Sequence, residues 1–270
     1  MGAGHKRAPL LNPPPQVQDH GENHCMTDPK EIIRAAAESI ERISLVSSAT
    51  ASATLTSMGV NNTFIDGPVT RTPGRSITGP VLTLQFLPKR EDQIAGEGDE
   101  NVAKQTALWQ VLQRVQPGDV IAVDARGQTK TGCFGEMLLT YLAARGGLGI
   151  VVDGSIRDSA EATALDIGIW TRGVTPNYAT QTTLSPWDFN VPISCGEALV
   201  IPGDVVIADD DGAVVVPAAL IDKVADKALE HEDWERFSRI KLTEGGDLMK
   251  YYPLDEEAQA EFQQWKLSNN

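Results

Sequence analysis

The sequence predicts an α/β fold. Residues 132–161 read as turn, helix and strand in succession. Met137, Leu138, Tyr141 and Leu142 fall at helical spacing over 136–145, and Gly146-Gly147 stops the helix. The apolar run 148–152, rich in Val and Ile and bounded by glycines, suits a buried strand. Further short β-branched runs follow Pro-Gly-Asp-Val turns at 117 and 202, each turn launching a strand.

The remaining elements follow in order. Residues 1–26 are expected to be a disordered tail or tag, 27–240 the main domain and 241–270 a helical extension. Asp28 as N-cap, Pro29 at the first position and Glu31 as the capping-box acid predict a first helix, with Ile32, Ile33, Ala36, Ile40 and Ile43 as its apolar stripe. Ser47 or Ser48 caps a second helix through Met58, stopped by Gly59. Residues 60–76 are loop and 77–87 a strand. Residues 88–100 carry five acids and read as a solvated loop or as a flap near the site. A short helix over 102–115 and a strand over 120–123 come next, the strand ending at Asp124. Asp124, Arg126 and Lys130 then either shape the far side of a ligand or form an ordinary turn. Beyond the central stretch come a helix over 159–165, a strand over 167–171 and a long polar segment over 173–189. Short strands follow over 191–194, 199–201, 205–209 and 213–216. Asp209-Asp210-Asp211-Gly212 reads as a hairpin turn with Asp-Gly at positive φ; it lacks the terminal glutamate of a calcium loop. Helices over 217–240 and 255–265 close the chain, with Phe262 and Trp265 docking on a neighbour or on the same core.

Composition narrows the function. The 270 residues carry a net charge of -14, with no basic stripe, which argues against nucleic-acid binding. No apolar run is long enough to span a membrane. Cys25, Cys133 and Cys195 match neither a disulfide framework nor zinc spacing, so a reducing, cytoplasmic setting is expected. Cys133 reads as a buried thiol rather than a nucleophile. The histidines are His5, His20, His24 and His231. Chemistry in the middle of the chain must therefore use carboxylates, arginine, backbone groups and water.

The central stretch supplies these. The start of the 136–145 helix offers free, glycine-flanked N–H groups, suited to a carboxylate. Asp158 is a hard oxygen ligand for Mg2+ or Mn2+. Arg157 can donate to an oxygen gaining charge. The same residues also fit a plain helix–strand–helix unit, with Arg157 paired to a nearby acid and Asp158 capping the next helix.

Twenty residues separate Glu136 from Arg157, and Glu161 follows Asp158 after two more. This Gly-acid-x20-Arg-Asp-x2-acid pattern resembles the signature of the RraA-like superfamily, and the segments 117–124 and 202–217 resemble the same family. That group includes class II 4-hydroxy-4-methyl-2-oxoglutarate/4-carboxy-4-hydroxy-2-oxoadipate aldolases, oxaloacetate decarboxylases and the regulator of ribonuclease E activity. The resemblance implies a swivelling β/β/α sandwich, here with extra N- and C-terminal helices, assembled as a homotrimer or homohexamer. It implies an enzyme that releases pyruvate from small 2-oxo acids, with Asp158 as metal ligand and Arg157 and Glu136 as catalytic residues. Gly135, Glu136, Met137, Leu138 and Arg157 would bind substrate, and Glu136 would orient a water that moves the C4 hydroxyl proton. Glu136 stands where related aldolases commonly have Asp. C-terminal acids, with Glu230, Glu232, Asp233 and Glu235 as candidates, would reach an adjacent subunit's site. The resemblance admits two other readings: a protein-binding regulator and a 2-keto-3-deoxy sugar-acid aldolase.

Overall fold

The computed structural model describes residues 30–92 and 104–269. The Asp28-Pro29 cap, the tail 1–26 with Cys25 and three of the histidines, and the acids Glu97, Asp99 and Glu100 lie outside the described residues.

In chain order the elements are α1 (Ala37–Ile43), α2 (Ser48–Ser57), β1 (Val69–Thr70), β2 (Ile77–Pro88), α3 (Ala107–Gln113), β3 (Val120–Gly132), α4 (Glu136–Ala144), β4 (Gly149–Ile156), α5 (Ser159–Thr163), β5 (Gly168–Val174), β6 (Leu184–Phe189), β7 (Ile193–Cys195), β8 (Ala198–Val200), β9 (Val205–Asp209), β10 (Gly212–Val216), α6 (Ile221–Thr243), α7 (Leu248–Tyr251) and α8 (Glu256–Asn269). An eight-stranded mixed sheet runs β1-β5-β4-β3-β2-β9-β10, with β6 also on β2; β7 and β8 form a separate pair.

Strand β2 joins two layers. Its first residues, 77–80, pair antiparallel with β9, and residues 81–85 pair parallel with β3. Alternation along the strands then fills three apolar clusters. In β3, Val120 and Ala122 point between the layers, while Ile121 and Val123 point to the side that α3, α4 and α5 cover. In β9 and β10, Val206, Ala208, Ala213 and Val215 face inward, while Val205, Ile207, Val214 and Val216 meet α1, α2 and α6. The order is helices, sheet, sheet, helices: an α/β fold of the swivelling type, with β4 buried along its whole length.

Several expectations are met. Ser47 caps α2, accepting from the Thr50 N–H. The two Pro-Gly-Asp-Val turns share one geometry. Gly118 and Gly203 have φ of 93° and 94°. Asp119 accepts from the Gln116 N–H at 2.7 Å and Asp204 from the Ile201 N–H at 2.9 Å.

The first helix needs correction. Residues 31–36 are not helical, and α1 starts only at Ala37. Lys30 reaches Asp188 at 2.6 Å, and Arg34 grips the fully buried Asp119 with Nε at 2.8 Å and an η nitrogen at 2.7 Å. These long-range bonds draw the segment across the sheet, leaving Ile33 89% exposed and so removing it from any apolar stripe. The strand from 120 does not end at Asp124. It bulges at Arg126 and Gly127, both at positive φ, and continues to Gly132. The β9–β10 hairpin forms, with Asp209 opposite Gly212, and of that turn only Gly212 has positive φ. Phe262 and Trp265 dock on Phe237 of α6 in the same chain, at centroid distances of 5.7 and 5.8 Å.

Candidate functional site

The bulged end of β3 and the end of β4 bring two separated pieces of sequence together. The Cys133 N–H donates to the Ser155 carbonyl at 2.8 Å and the Arg157 N–H to the Phe134 carbonyl at 2.9 Å. These bonds lay Gly135, the N-cap of α4, directly beside Arg157 and Asp158. A Cβ at Gly135 would stand 2.6 Å from Asp158 Oδ2 and 2.8 Å from Arg157 Nε, so any larger residue there displaces those two side chains. Gly132 is equally constrained: a Cβ there would meet the Asn177 carbonyl oxygen at 2.3 Å and Arg157 Cβ at 3.2 Å.

Asp158 adopts the left-handed conformation, φ 55° and ψ 45°. A non-glycine residue held there is strained by on the order of 1 kcal/mol or more. It occupies the N-cap position of α5, where its carbonyl accepts from the Ala162 N–H at 2.9 Å, but its side chain makes no cap bond there. The turn instead swings the carboxylate across the start of α4, where Oδ2 accepts from the Glu136 N–H at 3.3 Å and lies 3.4 Å from Arg157 Nε. Both side chains remain about two-fifths exposed, 40% for Arg157 and 43% for Asp158, so the pair faces open solvent and is accessible to a ligand.

The N–H groups of Met137 and Leu138 belong to the first turn of α4, which has no intrahelical acceptors, and the cap residue is a glycine with no side chain to satisfy them. With Arg157 they form a positive cradle for an anion. Glu136 does not turn toward Asp158. Its Oε1 accepts from Thr140 Oγ1 at 2.6 Å, one helical turn on. Thr140 was not singled out in the sequence, although four-residue spacing after an acid on a helix is a readable signal. Thr175 and Asn177, from the polar segment, wall Gly132 and the stem of Arg157, and Asn177 is tied to the Lys130 carbonyl at 2.9 Å.

Other candidates lie elsewhere. Glu161 is exposed in the first turn of α5. Glu230, Glu232, Asp233 and Glu235 stand on α6, in the helix layer on the far side of both sheets. Glu232 accepts from Thr50 at 2.7 Å, Asp233 pairs with Lys266 at 3.2 Å and Glu235 contacts His231 at 3.2 Å. Cys133 is fully buried, and burial pushes its thiol well above the ordinary range, as expected for an inert thiol. Asp124 lines a separate cleft of about 320 Å³ with Asp153, Arg126 and Arg172. Among the described residues, no helix is long and apolar enough to cross a membrane.

This fold and this motif define a class. Residues 47–215, more than half of the chain, match the family model described as RraA-like: Aldolase/RraA. The chain belongs to the RraA-like family. A protein of Halalkalibacterium halodurans with a provisional assignment as 4-hydroxy-4-methyl-2-oxoglutarate aldolase is 38% identical over 152 residues, which is 56% of this chain and 65% of that relative. Streptomyces coelicolor RraAS2, described as an unusual member of the RNase ES inhibitor RraA protein family, is 47% identical, with a TM-score of 0.71 covering 77% of this chain and 98% of that one. An uncharacterised protein of Pseudomonas syringae pv. tomato shares the fold, with a TM-score of 0.71 at 22% identity over 84% of this chain and 98% of that one.

Proposed function

We propose that the protein is a divalent-metal-dependent pyruvate aldolase, cleaving 4-hydroxy-2-oxo acids between C3 and C4 and decarboxylating oxaloacetate as a related reaction. The observation that carries this reading is the contact of Gly135 with Asp158 and Arg157. It sets an anionic oxygen ligand and a cationic donor side by side across the start of α4, where the Met137 and Leu138 N–H groups have no intrahelical acceptor.

The residues fit Mg2+ or Mn2+. Asp158 supplies a strained, solvent-facing carboxylate that makes no cap bond to α5, and no group of three His, Cys, Asp or Glu side chains forms a metal cage among the described residues. Mg2+ is commonly held by one or two carboxylates together with substrate and water oxygens. Once bound, it would supply Lewis-acid stabilisation of the charge that builds on the 2-oxo group. The N–H groups of Met137 and Leu138 hold the substrate carboxylate. Arg157 donates to the oxygen that becomes negative as the C3–C4 bond breaks. Glu136, steadied by Thr140, receives the C4 hydroxyl proton through water and returns a proton to C3. Assembly as a trimer or hexamer belongs to the same proposal, with the α6 acids presented to a neighbouring copy.

Pyruvate release from 4-hydroxy-4-methyl-2-oxoglutarate and from oxaloacetate, with Mg2+ and with EDTA, tests this. Metal-dependent release from either is expected. A second reading, a protein-binding regulator, is favoured by the 47% identity to RraAS2. It predicts no turnover and direct inhibition of an RNase E-type ribonuclease.

A further inference from the structure

The structure points to a substrate class. We infer that the C4 substituent of the cleaved 4-hydroxy-2-oxo acid is apolar, an aryl or extended alkyl group, and that it lies in the groove between α3 and α4. This inference rests on the aldolase reading and extends it to the part of the substrate that leaves.

The groove holds about 480 Å³. One wall is α4, presenting Met137, Tyr141 and Ala144 at helical spacing over about 10 Å. The other wall is α3, presenting Trp109 and Leu112. It starts at the candidate site itself. Met137 and Leu138, whose N–H groups belong to the anion cradle, line it with their side chains, and so does Thr140, which holds Glu136 at 2.6 Å. A substrate whose carboxylate sits on the first turn of α4 therefore has this groove within one helical turn. Met137 is 73% and Tyr141 42% exposed, so an apolar surface is presented beside an otherwise charged site.

Charge decides which substituent fits. The polar groups among the described lining residues are those of Gln113 and Thr140, the Tyr141 hydroxyl and the Trp109 indole N–H, and none is cationic. Arg157 is committed to the reacting oxygen. A carboxylate at C4 entering this groove would lose water without gaining a cationic partner, whereas a ring or alkyl chain would bury apolar surface on both sides. The chain as a whole carries a net charge of -14.

The reaction balances without a further reactant. The C4 hydroxyl gives up its proton, the C3–C4 electron pair stays with C3, and C3 takes a proton to become the methyl group of pyruvate. C4 leaves as an apolar aldehyde or ketone.

Three substrates separate the outcomes: 4-hydroxy-2-oxo-4-phenylbutanoate, which yields benzaldehyde; 4-hydroxy-4-methyl-2-oxoglutarate; and oxaloacetate, which has no C4 substituent of this kind. Each is run with wild type and with Tyr141→Lys. Wild type is expected to favour the phenyl substrate over the dicarboxylic one by about tenfold or more in kcat/KM. Tyr141→Lys is expected to lose about tenfold on the phenyl substrate, to gain on the dicarboxylic one, and to stay within about twofold on oxaloacetate. Metal-dependent oxaloacetate turnover together with preference for the dicarboxylic acid, or with a phenyl rate unchanged in Tyr141→Lys, overturns the groove assignment and leaves the aldolase reading intact. No turnover of any of the three overturns the aldolase reading, and the groove assignment with it. A change of native mass in Tyr141→Lys would assign the groove to a second copy of this chain and also overturn the proposal.

Discussion

At residue scale the candidate site depends on a missing atom. Gly135 has φ -115° and ψ 173°, extended backbone that alanine adopts freely, so what a side chain there would disturb is space alone. A methyl group there would meet Asp158 Oδ2 at 2.6 Å and Arg157 Nε at 2.8 Å, the two side chains of the candidate site. Something must shift, and displacements near 1 Å at a reacting centre cost about a hundredfold. Gly135→Ala is therefore expected to lower kcat/KM for oxaloacetate by about 100-fold. The change at a helix cap is worth about 1 kcal/mol, so Tm should fall by no more than about 2–4 °C. Full activity in Gly135→Ala would mean that Asp158 and Arg157 do not work in the arrangement seen.

At the scale of elements, what the sequence conveys depends on whether a signal is local. The helix 136–145 and the strand from 148 are legible because periodicity and glycine stops sit within the segment, and the structure places them at Glu136–Ala144 and Gly149–Ile156. The segment 31–36 is misread because the bonds that decide it join residues 85 and 158 positions apart. Isoleucine spacing favours a helix; the buried carboxylate of Asp119 wins, since an unpaired charge at 0% exposure is costly. Arg34→Ala is accordingly expected to destabilise the protein by about 3–5 kcal/mol in urea unfolding. A loss below about 1 kcal/mol would show that the segment is held by other contacts. The site shows the same division. Its residue types and twenty-residue spacing are legible, but the left-handed turn at Asp158 and the Thr140 bond to Glu136 are not. The turn comes from the β3–β4 register and the bond from a rotamer choice, and neither leaves a local pattern beyond the four-residue spacing on α4.

At the scale of the whole molecule, two sheets and two helix layers bury carboxylates that the acidic sequence must accommodate. Asp119 has Arg34, and Asp153 has Arg172. Asp124, at 8% exposure beside Asp153, accepts from the Arg126 N–H at 2.9 Å, and burial lifts its carboxyl above the usual range. The folded state therefore binds this proton more tightly than the unfolded chain does. The associated stability is complete below the unfolded pKa of about 3.9 and is lost as pH rises through the folded value. Asp124→Asn keeps an acceptor for the Arg126 N–H and removes the titration. Its Tm relative to wild type should rise between pH 4 and pH 8, followed by circular dichroism; a difference that is flat or falls with pH would refute the assignment.

In the proposed aldolase, Asp158, set across the start of α4, holds the metal on which 2-oxo acids bind. The most direct measurement is electron paramagnetic resonance of Mn2+ titrated into the protein, with and without oxalate, a mimic of the pyruvate enolate. Wild type is expected to take up Mn2+ and to bind it more tightly with oxalate, and Asp158→Ala to do neither while keeping its fold by circular dichroism. Equal Mn2+ uptake by the two proteins, or uptake by wild type that oxalate does not change, would contradict the account.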